Sequence, residues 1–258
     1  MADPVLISLR VLADLEEVAR AAAEEVVRLA GAAVRAHGRF TLALSGGSTP
    51  RALFRLLSTS PDRIDWSAVH VFWGDERHVP PDHAESNYRM ARETLLDRVP
   101  IPAPNVHRIH GEDPDAAHAA ALYEDELAAA FALAPRQLPR FDLVLLGLGP
   151  EGHTASLFPG SAALHERERL VVAPFVSKLA AHRITLTPPV LNHAAAVIFL
   201  VCGADKAAAL AAVLAGEREG ERDVDLYPAQ IVRPEHGALL WLVDRAARGA
   251  APEAGQVV

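Results

Sequence analysis

Residues 147–161 read GLGPEGHTASLFPGS, a histidine set among glycines with a carboxylate, Glu151, two positions ahead of it. Neutral imidazole, with an ordinary pKa of about 6.5, takes up and returns a proton near neutral pH, so His153 offers general-base chemistry. The same letters carry a competing reading, because Gly147, Gly149 and Gly152 spell GxGxxG, the phosphate turn of dinucleotide-binding folds. Such a fold needs an acidic residue about 20 positions further on to hold the ribose. The sequence there is RLVVAPF, which has no acid. What remains is a glycine-rich turn presenting Glu151 and His153, with Thr154 and Ser156 opening the segment beyond. A covalent route through Ser156 or through Cys202, the single cysteine, is disfavoured. Neither lies in GxSxG, and Cys202 ends an apolar run where a thiol serves as packing.

A second stretch, SGGSTP, supplies Ser45, Gly46, Gly47, Ser48, Thr49 and Pro50. Thr49 is a natural helix N-cap and Pro50 a natural first helical residue. Two glycines let the backbone approach a ligand closely, and free amides, serine hydroxyls and a helix N-terminus together favour a phosphate. The Walker lysine pattern is missing, so a nucleoside triphosphate is not indicated. Asp75, Glu76 and Arg77 cluster in GDERHVPP, where a loop would face the same ligand, and Ser86 and Asn87 can cap the next helix. Arg183 before ITLT and Lys206 in GADK add two cations. If both met one phosphate, each would contribute a charge-assisted bond of ~1.5–3 kcal/mol.

These residues must be carried by regular elements. Leu15, Val18, Ala22, Val26, Leu29 and Ala33 recur at helical spacing behind Asp14, a plausible N-cap. Beyond them, strands are expected over 40–44, 69–73, 141–146, 184–186, 197–201 and 239–243. Helices are expected over 50–57, 87–97, 114–133 and 205–214. Strands that are apolar throughout and linked by helices imply a mainly parallel α/β sheet covered on both faces. Ligands in such sheets sit at the carboxyl ends of the strands, and SGGS, the 147–161 turn and GADK each follow an expected strand.

The chain has 258 residues, 50% hydrophobic, with a net charge of −8. No Pro/Gly/Ser linker or repeat divides it, so one domain over 1–258 is expected, with RAARGAAPEAGQVV and in particular its last ten or so residues as a frayed tail. An acidic chain without a Lys/Arg block is a poor partner for nucleic acid. The longest apolar stretch, 194–204, is too short to span a bilayer, and MADPVLISLR lacks the character of a signal peptide. A cytoplasmic protein without nucleic-acid or membrane partners is therefore the expectation, and it is expected as a monomer.

Taken in order, SGGSTP, WGDERHVP with SNY, LGLGPEGHTASLFPG, RITLT, GADK and YPAQIVRP resemble the 6-phosphogluconolactonase family, the lactonase branch of the glucosamine/galactosamine-6-phosphate isomerase superfamily. The resemblance implies a Rossmann-like fold shared with sugar-phosphate isomerases and CoA transferases. It implies hydrolysis of 6-phospho-D-glucono-1,5-lactone in the oxidative pentose phosphate pathway, with no metal or organic cofactor. It also implies His153 as the base, supported by Glu151. Ser45, Gly46, Gly47, Ser48, Asp75, Arg77, Asn87, Arg183 and Lys206 would hold the phosphate and the sugar. One departure stands in the motif: the family usually has Asp where this chain has Glu151. Related deaminases carry a GHIAFNEP-like stretch with a glutamate after the histidine; GHTASLFPG has none, which argues against deamination. A non-catalytic sugar-phosphate sensor would carry a DNA-binding helix-turn-helix, and none is evident.

Overall fold

The computed structural model describes residues 6–249. The elements begin with β1 (Leu6–Leu12), α1 (Leu15–His37), β2 (Phe40–Leu44), α2 (Ser48–Thr59), β3 (Val69–Trp73), β4 (Asp75–Arg77) and α3 (Asn87–Thr94). Next come α4 (Ala116–Phe131), β5 (Leu143–Gly147), β6 (Val171–Val172), β7 (Phe175–Val176) and β8 (Ala181–Leu186). The chain continues through α5 (Pro188–Asn192), β9 (Ala196–Val201), α6 (Ala207–Glu219), β10 (Ala238–Asp244) and α7 (Arg245–Arg248).

Six strands form a parallel sheet in the order β1-β10-β9-β5-β2-β3. Every residue of β2 and of β9 is buried, as expected of strands covered on both faces. The Rossmann-like α/β class read from the sequence is the class observed. The face of α1 built on Val18, Ala22, Val26 and Ala33 is buried. Asp14 caps that helix, its carboxylate accepting from the Glu17 amide at 3.0 Å, and Gly38 ends it with φ +81°.

Between β2 and β5 the strand order reverses direction, because the chain leaves β2 outward to β3 and later returns to β2's other side. Asp142 pins this junction. Its carboxylate accepts from the Thr41 amide and hydroxyl, both at 2.8 Å, while its own amide donates to Thr41 Oγ1 at 2.9 Å. Tyr123 of α4 ties the far side: its hydroxyl donates to the Trp73 carbonyl and accepts from the Trp73 amide. Burial holds that phenol well above its ordinary pKa, so it stays a neutral donor.

Several sequence expectations are corrected. The helix after β2 starts at Ser48 with Gly47 at its N-cap and no capping side chain, so Thr49 and Pro50 lie inside its first turn. The 87–97 helix stops at Thr94, and the 205–214 helix runs instead over Ala207–Glu219 behind a short 3-10 turn. The 184–186 strand lies outside the parallel sheet. It is the end of β8, which joins β4, β6 and β7 in an antiparallel arrangement. β1 and the short β4, β6 and β7 were not anticipated; strands of two or three residues carry no readable alternation.

The tail expectation is also corrected in part. Arg245–Arg248 form α7, capped by Asp244, whose Oδ1 accepts from the Ala247 amide at 2.6 Å. The same carboxylate accepts from the Gly203 amide, fixing the turn after β9. Residues 250–258 of the expected tail lie outside the described residues. Replacing Asp244 by Ala removes both bonds from a buried position and is expected to lower unfolding free energy by about 1–3 kcal/mol in urea titration. An unchanged midpoint would contradict this account of the C-terminal turn.

Candidate active site

The reversal between β2 and β5 opens a crevice at the strands' carboxyl ends, where such sheets bind ligands. β2 delivers Ser45 and Gly46, β5 delivers the turn bearing Glu151 and His153, and β9, next to β5, delivers Lys206. The rule thus gathers the three stretches that sequence spacing alone left far apart.

The GxGxxG glycines are explained by the histidine. A Cβ on Gly149 would lie 1.9 Å from His153 Nδ1 and 2.1 Å from its Cε1, so the imidazole occupies the space a side chain would need. The Gly149 amide donates to the His153 carbonyl at 2.8 Å, and the Gly152 amide to the Gly149 carbonyl at 2.9 Å, closing the turn. Gly152 takes φ +85° against Tyr227. Phe158 covers the ring in a stacked contact, centroids 4.2 Å apart.

Burial, above all, holds His153 below its ordinary pKa; Glu151 and Asp75 oppose that shift, and Lys206 reinforces it. The ring is therefore neutral and ready to accept a proton at neutral pH. Nδ1 lies 3.2 Å from Glu151 Oε2, a close polar contact without well-formed hydrogen-bond geometry that becomes an ion pair when the ring is protonated. A carboxylate beside Nδ1 favours the proton there and leaves Nε2 basic. Glu151 itself feels burial raising its pKa, yet the Lys178 hydrogen bond, its own amide and His153 together bring it down to about 2.

A polar network joins the β2 turn to the histidine turn. Asn87 fills the place of a Gly46 side chain, its Oδ1 1.9 Å from where that Cβ would stand. Its Nδ2 donates to the Asp75 carbonyl at 2.9 Å. Asp75 Oδ2 accepts from Ser156 Oγ at 2.7 Å, three residues past His153. Ser45 Oγ is buried without a hydrogen-bond partner among the described residues, as befits a group awaiting a ligand. The amides at the start of α2 have no acceptors within the helix.

The cations are arranged differently. Arg77 and Arg183 face each other across the β4–β8 ladder. Burial first, and then the Arg77 charge, push Arg183 below its ordinary pKa, against the pull of Asp75, Glu85 and Glu76. An anion between the two guanidiniums would relieve that repulsion. In the structure Arg77 donates to the Glu85 carbonyl, Arg183 to the His182 carbonyl, and Lys206 pairs with Asp205 at 2.8 Å. Gly47 and Ser48 are exposed at the crevice mouth and are not drawn into the network.

Glu76 proves structural. Its carboxylate accepts from the amides of Arg77, Asn87 and Tyr88 and from the Ser86 hydroxyl, so it caps α3. Sequence reading assigned no role to Phe158, five residues past His153 in the same stretch, or to Lys178, which reaches the histidine turn only through tertiary folding. Ser156, set aside as a nucleophile, enters instead as the link to Asp75.

A family model described as glucosamine-6-phosphate isomerases/6-phosphogluconolactonase matches residues 13–241. The chain belongs to this family. It is 48% identical over 216 residues to a 6-phosphogluconolactonase of a Nostoc species, covering 83% of this chain and 86% of that one. It is 41% identical over 254 residues to 6-phosphogluconolactonase of Mycobacterium tuberculosis, covering 95% and 98%. Among solved structures, 6-phosphogluconolactonase from Trypanosoma cruzi superposes with a TM-score of 0.81 at 32% identity, covering 96% of this chain and 97% of that one.

Two outcomes follow from the geometry. Gly149→Ala must expel the imidazole, and a crystal structure of that variant is expected to show His153 off Phe158; an unmoved ring would contradict the packing argument. Glu151, depressed from its ordinary 4.5, contributes stability above about pH 4.5 that is lost as pH falls toward about 2. Acid unfolding of Glu151→Gln should therefore lack the part of the wild-type pH slope that lies in this window. A slope identical to wild type would show that the carboxylate is not held by its partners.

Proposed function

We propose that the protein hydrolyses 6-phospho-D-glucono-1,5-lactone to 6-phospho-D-gluconate in the oxidative pentose phosphate pathway, with His153 as general base. The observation that carries this reading is a buried, neutral imidazole with Nδ1 beside a carboxylate and the Lys206 charge within electrostatic reach, on a turn whose strand neighbours the one leading into Ser45–Ser48. Relatives named 6-phosphogluconolactonase over nearly the whole chain support the substrate class.

In the proposed reaction His153 Nε2 takes a proton from a water, whose oxygen bonds to the lactone C1. The carbonyl electrons move to oxygen, then return as the ring C1–O bond breaks. His153 gives its proton to the departing ring oxygen, and the new carboxylic acid ionises. Ser45, Gly46, Gly47 and Ser48, with Arg77, Arg183 and Lys206, hold the phosphate and so orient C1 toward the base. Asp75 and Asn87 hold the sugar side of the crevice while bracing the two turns against each other. Glu151 stabilises the imidazolium formed in the first step.

The reading takes the chain as one domain acting as a cytoplasmic monomer. Among the described residues no helix is long and apolar enough to cross a membrane. Deamination of an amino-sugar phosphate is the weaker reading, because GHTASLFPG lacks the glutamate that deaminases place after the histidine.

With lactone generated in situ from glucose 6-phosphate and its dehydrogenase, wild type is expected to accelerate acid release, and His153→Ala to lose about 10²–10⁴-fold in kcat while still binding 6-phosphogluconate. Wild-type turnover in that variant would remove the base assignment, and ammonia release from glucosamine 6-phosphate would replace the reaction.

A further inference from the structure

A second set of charges lies behind the imidazole. Lys178 sits in the short turn Ser177–Leu179 that leads from β7 into β8. Its Nζ donates to Glu151 Oε1 at 3.0 Å, across sequence from the histidine turn. The two residues also line a cavity of about 360 Å³ with Phe158, Gly160 and Phe175. Phe158 is the residue stacked on the imidazole, so the cavity backs onto the ring.

The carboxylate of Glu151 is thereby divided: Oε1 is taken by Lys178 and Oε2 faces His153 Nδ1. A glutamate has three side-chain torsions and an open cavity beside it, so the contact with its own amide leaves the carboxylate room to turn off the ring. We infer that Lys178 is a positioning residue for His153: by holding one oxygen of Glu151 it fixes the other against Nδ1 and keeps Nε2 as the basic nitrogen. This role rests on the proposal that His153 is the base. Lys178 touches neither the ring nor the crevice groups, and its own side chain is 69% exposed, so its removal leaves the packed core intact.

The test uses the whole protein with Lys178→Met and Lys178→Arg, reading the titration of His153 by NMR and kcat and KM separately. The ring also feels Asp75 from β4 and Lys206 from the turn before α6, in opposite senses; both are unchanged in these variants. In Lys178→Met the carboxylate swings off Nδ1 and the imidazolium loses its anionic neighbour. The His153 midpoint is then expected to fall by about 0.5 unit, with kcat falling about twofold to fivefold and KM unchanged. Lys178→Arg should keep both wild-type values. A midpoint that stays or rises in Lys178→Met overturns the inference. If the midpoint stays while His153→Ala is inactive, only the role of Lys178 falls; if His153→Ala retains turnover, the base assignment falls instead.

Discussion

The imidazole of His153 can stand where it does only because residue 149 has no side chain. Its ring fills the volume of the missing Cβ, its carbonyl closes the turn onto the Gly149 amide, and Phe158 covers its outer face. This one packing constraint fixes the burial of the ring, and burial is what keeps it neutral. The link through Ser156 to Asp75 follows from the same turn.

The sheet supplies the second constraint. Reversal of strand order between β2 and β5 sets two glycine-containing turns side by side, one leading into the α2 amides and one bearing His153. Asp142 ties the two strands together at their amino ends, and at their carboxyl ends Asn87 fills the space that Gly46 leaves open while Asp75 links it to Ser156. The facing guanidiniums of Arg77 and Arg183 store a repulsion that suits an anionic guest.

Much of this was readable from residue types and order. All the parallel strands except β1 were visible as apolar runs, and His153 stood out because a glycine-flanked histidine at a strand end has few structural uses. The absence of an acid in RLVVAPF was enough to reject the dinucleotide reading. Other features were not legible. The short antiparallel strands have too few residues to show alternation, so the facing of Arg77 and Arg183 was hidden. Glu76 and Asp75 look equivalent in sequence, yet one caps α3 and the other reaches Ser156, a division set by the alternation of β4. Lys178 has no local signature at all; its partner lies 27 residues away.

The central claim concerns where two ends of one small molecule sit. A crystal structure with 6-phosphogluconate tests it most directly. The account predicts the phosphate among the α2 amides and the Arg183 and Lys206 side chains, with His153 Nε2 facing the C1 carboxylate directly or through one water. A phosphate bound elsewhere, or C1 turned away from that nitrogen, would contradict it.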